Sequence, residues 1–200
     1  MSKNKHHKRK VYRNKSNKKK RLLLALVLLV IITSFGVYIM LHKNSTPEPT
    51  KVLLTTTMGN ILIELRNDMP ITTENFITLS QQGIYDNTIF HRVIPNFMIQ
   101  GGDPTGTGMG DPSIPNISDE FSANNHNNRG TIAMANAGPN TGSSQFFINV
   151  VNNNYLDTAH PVFGKVIEGM DVADSISLVA VNDTKPVKDV IILKAEIQKD

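Results

Sequence analysis

The stretch Phe90-His91-Arg92-Val93-Ile94-Pro95-Asn96-Phe97-Met98-Ile99-Gln100-Gly101-Gly102-Asp103 holds the side chains whose types and spacing suggest chemistry. In a strand, alternate residues share a face, which sets Arg92 between Phe90 and Ile94. A guanidinium half-withdrawn from water is costly unless it is paired or put to use. Because it stays protonated, its use is that of a fixed charge and not of a proton carrier. The competing reading is an arginine that extends its head to solvent, and spacing alone leaves the two even. Pro95 marks a bulge or strand break, with Phe97, Met98 and Gln100 just beyond it.

Other chemistries have little support. There is no Cys, which removes disulfides, thiolate metal sites and a Cys nucleophile. The six His form no H-E-x-x-H and no i, i+4 pair; His6 and His7 lie in a basic segment and His42 borders an apolar run. Gly106-Thr107-Gly108-Met109-Gly110 lacks the Lys-Ser/Thr of a phosphate cradle, and Asp111-Pro112 interrupts any helix behind it. Ser143 and Ser144 do not sit in a nucleophile elbow and read as turn residues. No metal and no cofactor is expected.

The elements that must position the first stretch are mostly strands. Val52–Thr57 and Ile61–Arg66 are β-rich runs joined by Met58-Gly59-Asn60, which predicts a hairpin. Further strands are expected at Thr88–Ile94, Phe97–Gln100, Thr131–Ala135, Gln145–Val151, Val162–Ile167 and Val190–Ile197. A helix capped by Thr72 or Thr73 is expected to run through Gln82, with Phe76 and Leu79 on one side and Gly83 as its stop. A second, short helix is expected at Met170–Ser177. Eight short strands and two helices favour an antiparallel barrel or sandwich over βαβ units. Residues 101–130, rich in Gly, Pro and Asn, are too long for a plain connection and read as functional or disordered.

The chain of 200 residues is divided by charge. Residues 1–21 hold eleven Lys/Arg and no Asp/Glu; residues 22–200 hold ten Lys/Arg against 17 Asp/Glu, a net charge of −7. The basic balance thus belongs to a tail, which excludes a generally basic nucleic-acid-binding domain. Leu22 to Leu41 is a run of twenty uncharged, mostly apolar residues, the length that spans a roughly 30 Å hydrocarbon core as a helix. No small-residue cleavage site follows it, which favours a retained anchor over a cleaved signal. The flanking cations predict a cytoplasmic tail at 1–21, a signal-anchor at 22–42, a linker at 43–50 and an extracytoplasmic domain at 51–200, single-pass in the cell membrane.

Taken in order, FHRVIPNFMIQGGDP, Met134-Ala135-Asn136-Ala137-Gly138-Pro139-Asn140-Thr141, Ser144-Gln145-Phe146-Phe147-Ile148, Tyr155-Leu156-Asp157 and His160-Pro161-Val162-Phe163-Gly164 closely resemble the cyclophilin-type peptidyl-prolyl isomerases, over roughly residues 52–197. With the anchor, the chain looks like a membrane-anchored bacterial member. The resemblance implies a mainly β fold, a closed eight-stranded antiparallel barrel capped by two α-helices. It implies Arg92, Gln100 and His160 as catalytic residues. His91, Phe97, Met98, Ala135, Asn136, Phe147, Tyr155 and Leu156 would bind substrate, His91 as the neighbouring support. Tyr155 stands where many members carry Trp, and Asn140-Thr141-Gly142-Ser143-Ser144-Gln145 where N-T-N-G-S-Q is commoner.

The activity implied is cis/trans isomerisation of X–Pro bonds in exported proteins, with proline-containing segments and the lipid bilayer as partners, no nucleic acid, and a monomeric protein. The alternatives are a non-catalytic proline-peptide adaptor and a structural surface protein that displays residues 101–130. Phe97, Met98, Phe147 and Leu156 read by periodicity alone as core; the resemblance moves them to a proline pocket. Phe146 and Phe147 must point to opposite faces, which predicts one buried in the barrel and the other exposed to ligand.

Overall fold

The structure, a computed structural model, describes residues 3–42 and 48–198. The chain divides between Glu48 and Pro49 into two units. The first holds helix α1 (Lys3–His42), in which Lys18–Tyr38 has a mean hydropathy of 2.3 and no buried residue. By length and composition this is a helix that can cross a membrane. It continues back through the basic segment, so the expected tail is helical from Lys3. Of the expected linker at 43–50, residues 43–47 lie outside the described residues.

The second unit contains β1 (Lys51–Thr56), β2 (Gly59–Leu65), α2 (Pro70–Gln81), β3 (Thr88–Ile89), β4 (Arg92–Ile94), β5 (Met98–Gly101), β6 (Thr131–Met134), β7 (Phe146–Asn149), a 3-10 turn (Asn154–Leu156), β8 (Val162–Glu168), α3 (Met170–Ser177), β9 (Val181–Asn182), β10 (Lys185–Pro186) and β11 (Ile191–Gln198). The main sheet has nine strands in the order β3-β11-β1-β2-β8-β6-β7-β5-β4, and β9 and β10 form a separate ribbon. The expected eight-stranded closed barrel is thus found as a curled sheet of nine strands, antiparallel throughout. The difference arises at Phe90 and His91. The single strand expected at Thr88–Ile94 parts there, and β3 pairs with β11 while β4 pairs with β5. One isolated bridge, Ile89 to Asp103, joins β3 to the chain just beyond β5, the strand next to the far end of the order.

Period-two alternation makes the core. Val52, Leu54 and Thr56 of β1 and Ile61, Ile63 and Leu65 of β2 point inward, while their neighbours are half-buried or exposed. Phe76 of α2 meets Tyr85, Phe146 and Phe163 at ring separations of 4.9, 5.4 and 5.2 Å, and its contact with Phe146 is edge-to-face. Such ring pairs contribute about 0.5–1.5 kcal/mol beyond the area they bury. Ala173 and Ile176 of α3 close the same core.

Local chemistry departs from expectation at two turns. Helix α2 begins at Pro70, without a side-chain cap on Met69. Proline suits a first helical position because its missing N–H would be unpaired there anyway. Thr73, expected as a cap, instead donates its hydroxyl to the Arg66 carbonyl at 2.9 Å, and the Thr72 N–H donates to Glu120 Oε2 at 3.1 Å. In the β1–β2 hairpin the turn is made by Thr57 and Met58, since Gly59 already pairs with Thr56. The predicted helix at Met170–Ser177 is found with those limits.

Candidate active site

The sheet register assembles the site. Arg92 is paired with Gln100, Gln100 with Phe147, Phe147 with Ala133, and Ala133 with Val162, a row across β4, β5, β7, β6 and β8. Paired residues share a face, so one charged, one amide and three apolar side chains stand in line on the outer side. The next row, Val93, Ile99, Ile148, Ile132 and Gly164, faces the core. Pro95 and Asn96 turn the chain between β4 and β5, with Asn96 at φ 55°, a left-handed conformation that Asn tolerates. Phe97, expected in a strand, is the last residue of that turn.

Arg92 is half-buried, and its Nη1 donates to Gln100 Oε1 at 3.1 Å. Gln100 Nε2 donates to Gln145 Oε1 at 3.0 Å, and Gln145 Nε2 donates to the Gly108 carbonyl at 3.1 Å. The guanidinium is thus oriented by a chain of two amides fixed to backbone. Its Cζ lies 5.8 Å from the Phe97 ring centre, a cation–π distance. Among the described residues Arg92 has no carboxylate within ion-pair distance.

Beside this charge lies a second apolar cluster, apart from the main core. Met98, Ala133, Phe147 and Val162 are buried in it, with Ile94, Phe97, Ala135 and Leu156 packed against them and half-exposed. The two adjacent phenylalanines diverge as expected: Phe146 enters the main core and Phe147 the outer cluster. Phe147 is nevertheless only 4 % exposed, which corrects the expectation that it stands open to ligand. His160 Nδ1 lies 3.1 Å from the Met134 carbonyl, and because a carbonyl only accepts, Nδ1 carries the proton. The His160 ring stands edge-on to Phe147 at 5.3 Å. Tyr155 is 72 % exposed and stacks on Phe97 at 6.2 Å. Asn136 Nδ2 donates to the Ala159 carbonyl at 2.8 Å, while its main-chain N–H and carbonyl make no hydrogen bond among the described residues.

His91 takes the place of a neighbouring support and not that of a substrate contact. It is buried, neither ring nitrogen has a hydrogen-bond partner within 3.5 Å among the described residues, and a Cβ on Gly108 would lie 3.2 Å from its Cδ2. It therefore packs under the 103–110 loop and does not line the outer face. Burial holds its pKa below the ordinary histidine value, with Asp103 pulling the other way.

Three supports escaped sequence reasoning. Gln145 belongs to the Ser144-Gln145-Phe146-Phe147-Ile148 run, and nothing in its neighbours marks it as the second amide behind Arg92. The fully buried Asp103 accepts from the Thr105 N–H and hydroxyl at 2.9 and 2.8 Å and from the Gly108 and Gly110 N–H groups at 2.6 and 3.2 Å. Burial alone would raise its pKa; these donors outweigh that and lower it. The third support is an asparagine network. Asn153 Nδ2 donates to the Phe97 carbonyl at 2.9 Å and to Asn149 Oδ1 at 2.8 Å. Asn125 Nδ2 donates to the Asp157 and His160 carbonyls at 2.6 and 3.1 Å. Loop 101–130 thus holds the Tyr155–His160 segment in place and reads as ordered support.

Comparison with known proteins gives one answer. The family model for cyclophilin type peptidyl-prolyl cis-trans isomerases matches residues 51–197. Peptidyl-prolyl cis-trans isomerase-like 1 of Gibberella zeae is 46 % identical over 156 residues, 76 % of this chain and 96 % of that protein. Peptidyl-prolyl cis-trans isomerase ppi1 of Schizosaccharomyces pombe is 47 % identical over 149 residues, 72 % of this chain and 96 % of that protein. Among solved structures, a Cryptosporidium parvum cyclophilin type peptidyl-prolyl cis-trans isomerase crystallised with the dipeptide Ala-Pro has a TM-score of 0.71 and 36 % identity, covering 75 % of this chain and 99 % of that one. These relatives are eukaryotic and the family match begins at residue 51, so the expectation of a membrane-anchored bacterial member rests on the N-terminal segment alone.

Proposed function

This chain belongs to the cyclophilin-type peptidyl-prolyl cis-trans isomerases, and from that membership we propose that it isomerises X–Pro bonds in exported polypeptides by using Arg92 to stabilise the twisted amide. The bond to be rotated is conjugated, and its barrier of about 18–20 kcal/mol is the loss of that conjugation. Half-way through rotation the prolyl nitrogen regains its lone pair and becomes a hydrogen-bond acceptor. A donor fixed opposite it binds the twisted state better than either planar one, which lowers the barrier. Each 1.4 kcal/mol so gained is about tenfold in rate.

The observation that carries this reading is the Arg92–Gln100–Gln145 chain beside the apolar cluster of Met98 and Phe147. It supports a guanidinium held at a set angle next to a slot for a pyrrolidine ring. Gln100 orients the guanidinium and, with His160, contacts the substrate backbone. The unengaged Asn136 main chain suits a partner role for the residue before proline. Phe97, Ala135, Leu156 and Tyr155 form the rim. The apolar window in α1, with the cations before it, supports a single-pass anchor through 22–42 and a catalytic domain outside the membrane.

A cis/trans relaxation assay on a proline peptide, run with the full chain and with Arg92→Ala, tests the proposal. A rate reduced by about a hundredfold or more in the variant is expected. Equal rates would point to a peptide-holding adaptor. Membrane fractionation and protease protection of residues 51–200 test the anchor and its orientation.

A further inference from the structure

The segment that carries Tyr155, Leu156 and His160 lies outside the sheet, in and after the 3-10 turn, and Asp157 is where it is fastened. Asp157 Oδ1 accepts the Asn127 N–H at 2.7 Å and Asn127 Nδ2 at 3.4 Å, and its Oδ2 lies 3.0 Å from His126 Nδ1. Its carbonyl accepts from Asn125 Nδ2 at 2.6 Å. Asn127 passes the attachment on to β7, since its Oδ1 accepts Asn149 Nδ2 at 3.1 Å. The side chain of Asp157 is 20 % exposed and that of His126 59 %. Burial alone would raise the Asp157 pKa; the Asn127 and His126 donors outweigh that and lower it, so the group is ionised at neutral pH. An ionised carboxylate only accepts, so Nδ1 of His126 carries the proton. Glu64, Arg66, Asp68 and Lys165 line a cavity of about 420 Å³ together with His126. They pair among themselves, Lys165 with Glu64 at 2.9 Å and Arg66 with Asp68 at 2.7 Å. Among the described residues Asp157 is thus the carboxylate that engages His126.

We propose that Asp157 is a positioning residue for the Tyr155–His160 rim, and that His126 tightens its hold when the ring is charged, so that the chain binds proline peptides more firmly in mild acid than in mild alkali. The proposal rests on the isomerase reading, in which Tyr155, Leu156 and His160 meet substrate. Tyr155 and Leu156 directly precede Asp157, and the His160 N–H donates to the Leu156 carbonyl at 3.0 Å. A displacement of the Asp157 carboxylate therefore moves all three. A neutral imidazole gives that carboxylate one hydrogen bond with a single charged partner. A protonated imidazole, the form favoured toward the acid side, makes the contact an ion pair and strengthens it. Holding the rim in its bound shape removes an ordering cost from binding and leaves the rotation of the amide untouched. The effect accordingly falls on KM and not on kcat.

KM and kcat for one proline peptide are measured with the full chain at about pH 5.5 and about pH 8, beside His126→Gln, Asp157→Asn and the double variant. Asp157→Asn keeps an oxygen for the Asn127 N–H, so it removes the charge without emptying the position. In the wild-type chain KM is expected to rise about two- to threefold between the two pH values, with kcat changing less. The rise should shrink in about 0.5 M salt. It should vanish in each single variant, and the double variant should go no further, because the two side chains act as one pair. A rise that persists in His126→Gln comes from another histidine and overturns the proposal. So does a change carried by kcat, or an Asp157→Asn variant with wild-type KM at both pH values. A flat wild-type KM with normal turnover overturns the proposal and leaves the isomerase intact. Failure to turn over the peptide at either pH removes the isomerase reading and this proposal together.

Discussion

Arg92 and Gln100 stand directly opposite each other on the β4–β5 ladder, and the guanidinium donates to the amide oxygen at 3.1 Å. The turn through Pro95 and Asn96, between partners eight positions apart, sets that pairing. Register alone therefore brings the charge to its orienting partner.

Gln145 is the next link, and its removal tests whether orientation matters separately from charge. Gln145→Ala leaves Gln100 Nε2 without its acceptor. One such hydrogen bond is worth about 1 kcal/mol, so kcat/KM should fall roughly fivefold. Arg92→Lys keeps the charge but not the planar fork and should lose more, beyond tenfold. A lysine variant with wild-type rates would show that orientation is immaterial. Relaxation kinetics on one peptide measure both.

The two phenylalanines of β7 should separate stability from binding. Phe146→Ala opens the aromatic core and should cost about 3–5 kcal/mol in urea unfolding. Phe147→Leu, in the outer cluster, should lower stability by less than half of that. Its main effect should be a higher KM for proline peptides. Similar unfolding midpoints for the two would contradict the division into inner and outer clusters.

Asn153 holds the Phe97 carbonyl and Asn149 together. Asn153→Ala should destabilise by about 1–3 kcal/mol, because buried partners lose their bonds. It should also raise KM more than it lowers kcat if Phe97 has the proposed place at the rim of the pocket and no part in the rotation itself. A change confined to kcat would contradict this role.

Two buried groups set the acid limb of stability. His91 has a folded pKa below its unfolded value near 6.5, so the unfolded chain takes up its proton first. Stability should therefore decline as pH falls below about 6.5 until the folded state protonates too. His91→Phe should flatten that slope. Asp103 also has a lowered folded pKa, relative to 3.8, and its contribution is present above that value and lost as pH falls through the folded one. Asp103→Asn should therefore differ most from wild type near neutrality and converge with it only as pH falls below 3.8 and through the folded pKa. Unfolding midpoints measured from neutral pH down into the acid unfolding range check both.

Much of this was legible in the sequence where one short stretch supplies both partners. The β-rich runs of β1 and β2 and the hairpin between them were expected, and the opposite facing of Phe146 and Phe147 followed from adjacency. The short helix expected at Met170–Ser177 is α3. Gln145 was not, because its contact with Gln100 joins residues 45 apart. Asn125 and Asn127 looked like turn composition, since an amide shows its value only when the carbonyls it binds are known. The break at Phe90-His91 was hidden because both halves are β-rich, and only pairing to different neighbours parts them.

The order that begins at β3 and ends at β4 makes two consecutive pieces of chain the opposite margins of one fabric, stitched by Phe90 and His91. Arg92 rides on such a margin, whereas Phe147 sits in the interior of the weave. Beyond β5, the Val93 N–H also donates to the Thr184 carbonyl at 2.7 Å; fraying begins at such a hem, so Arg92 should leave the proposed slot before the aromatic interior opens. Amide exchange at Ile94 should then outpace that at Ile99 and Ile148, and each such excursion would momentarily idle the catalyst without unfolding it.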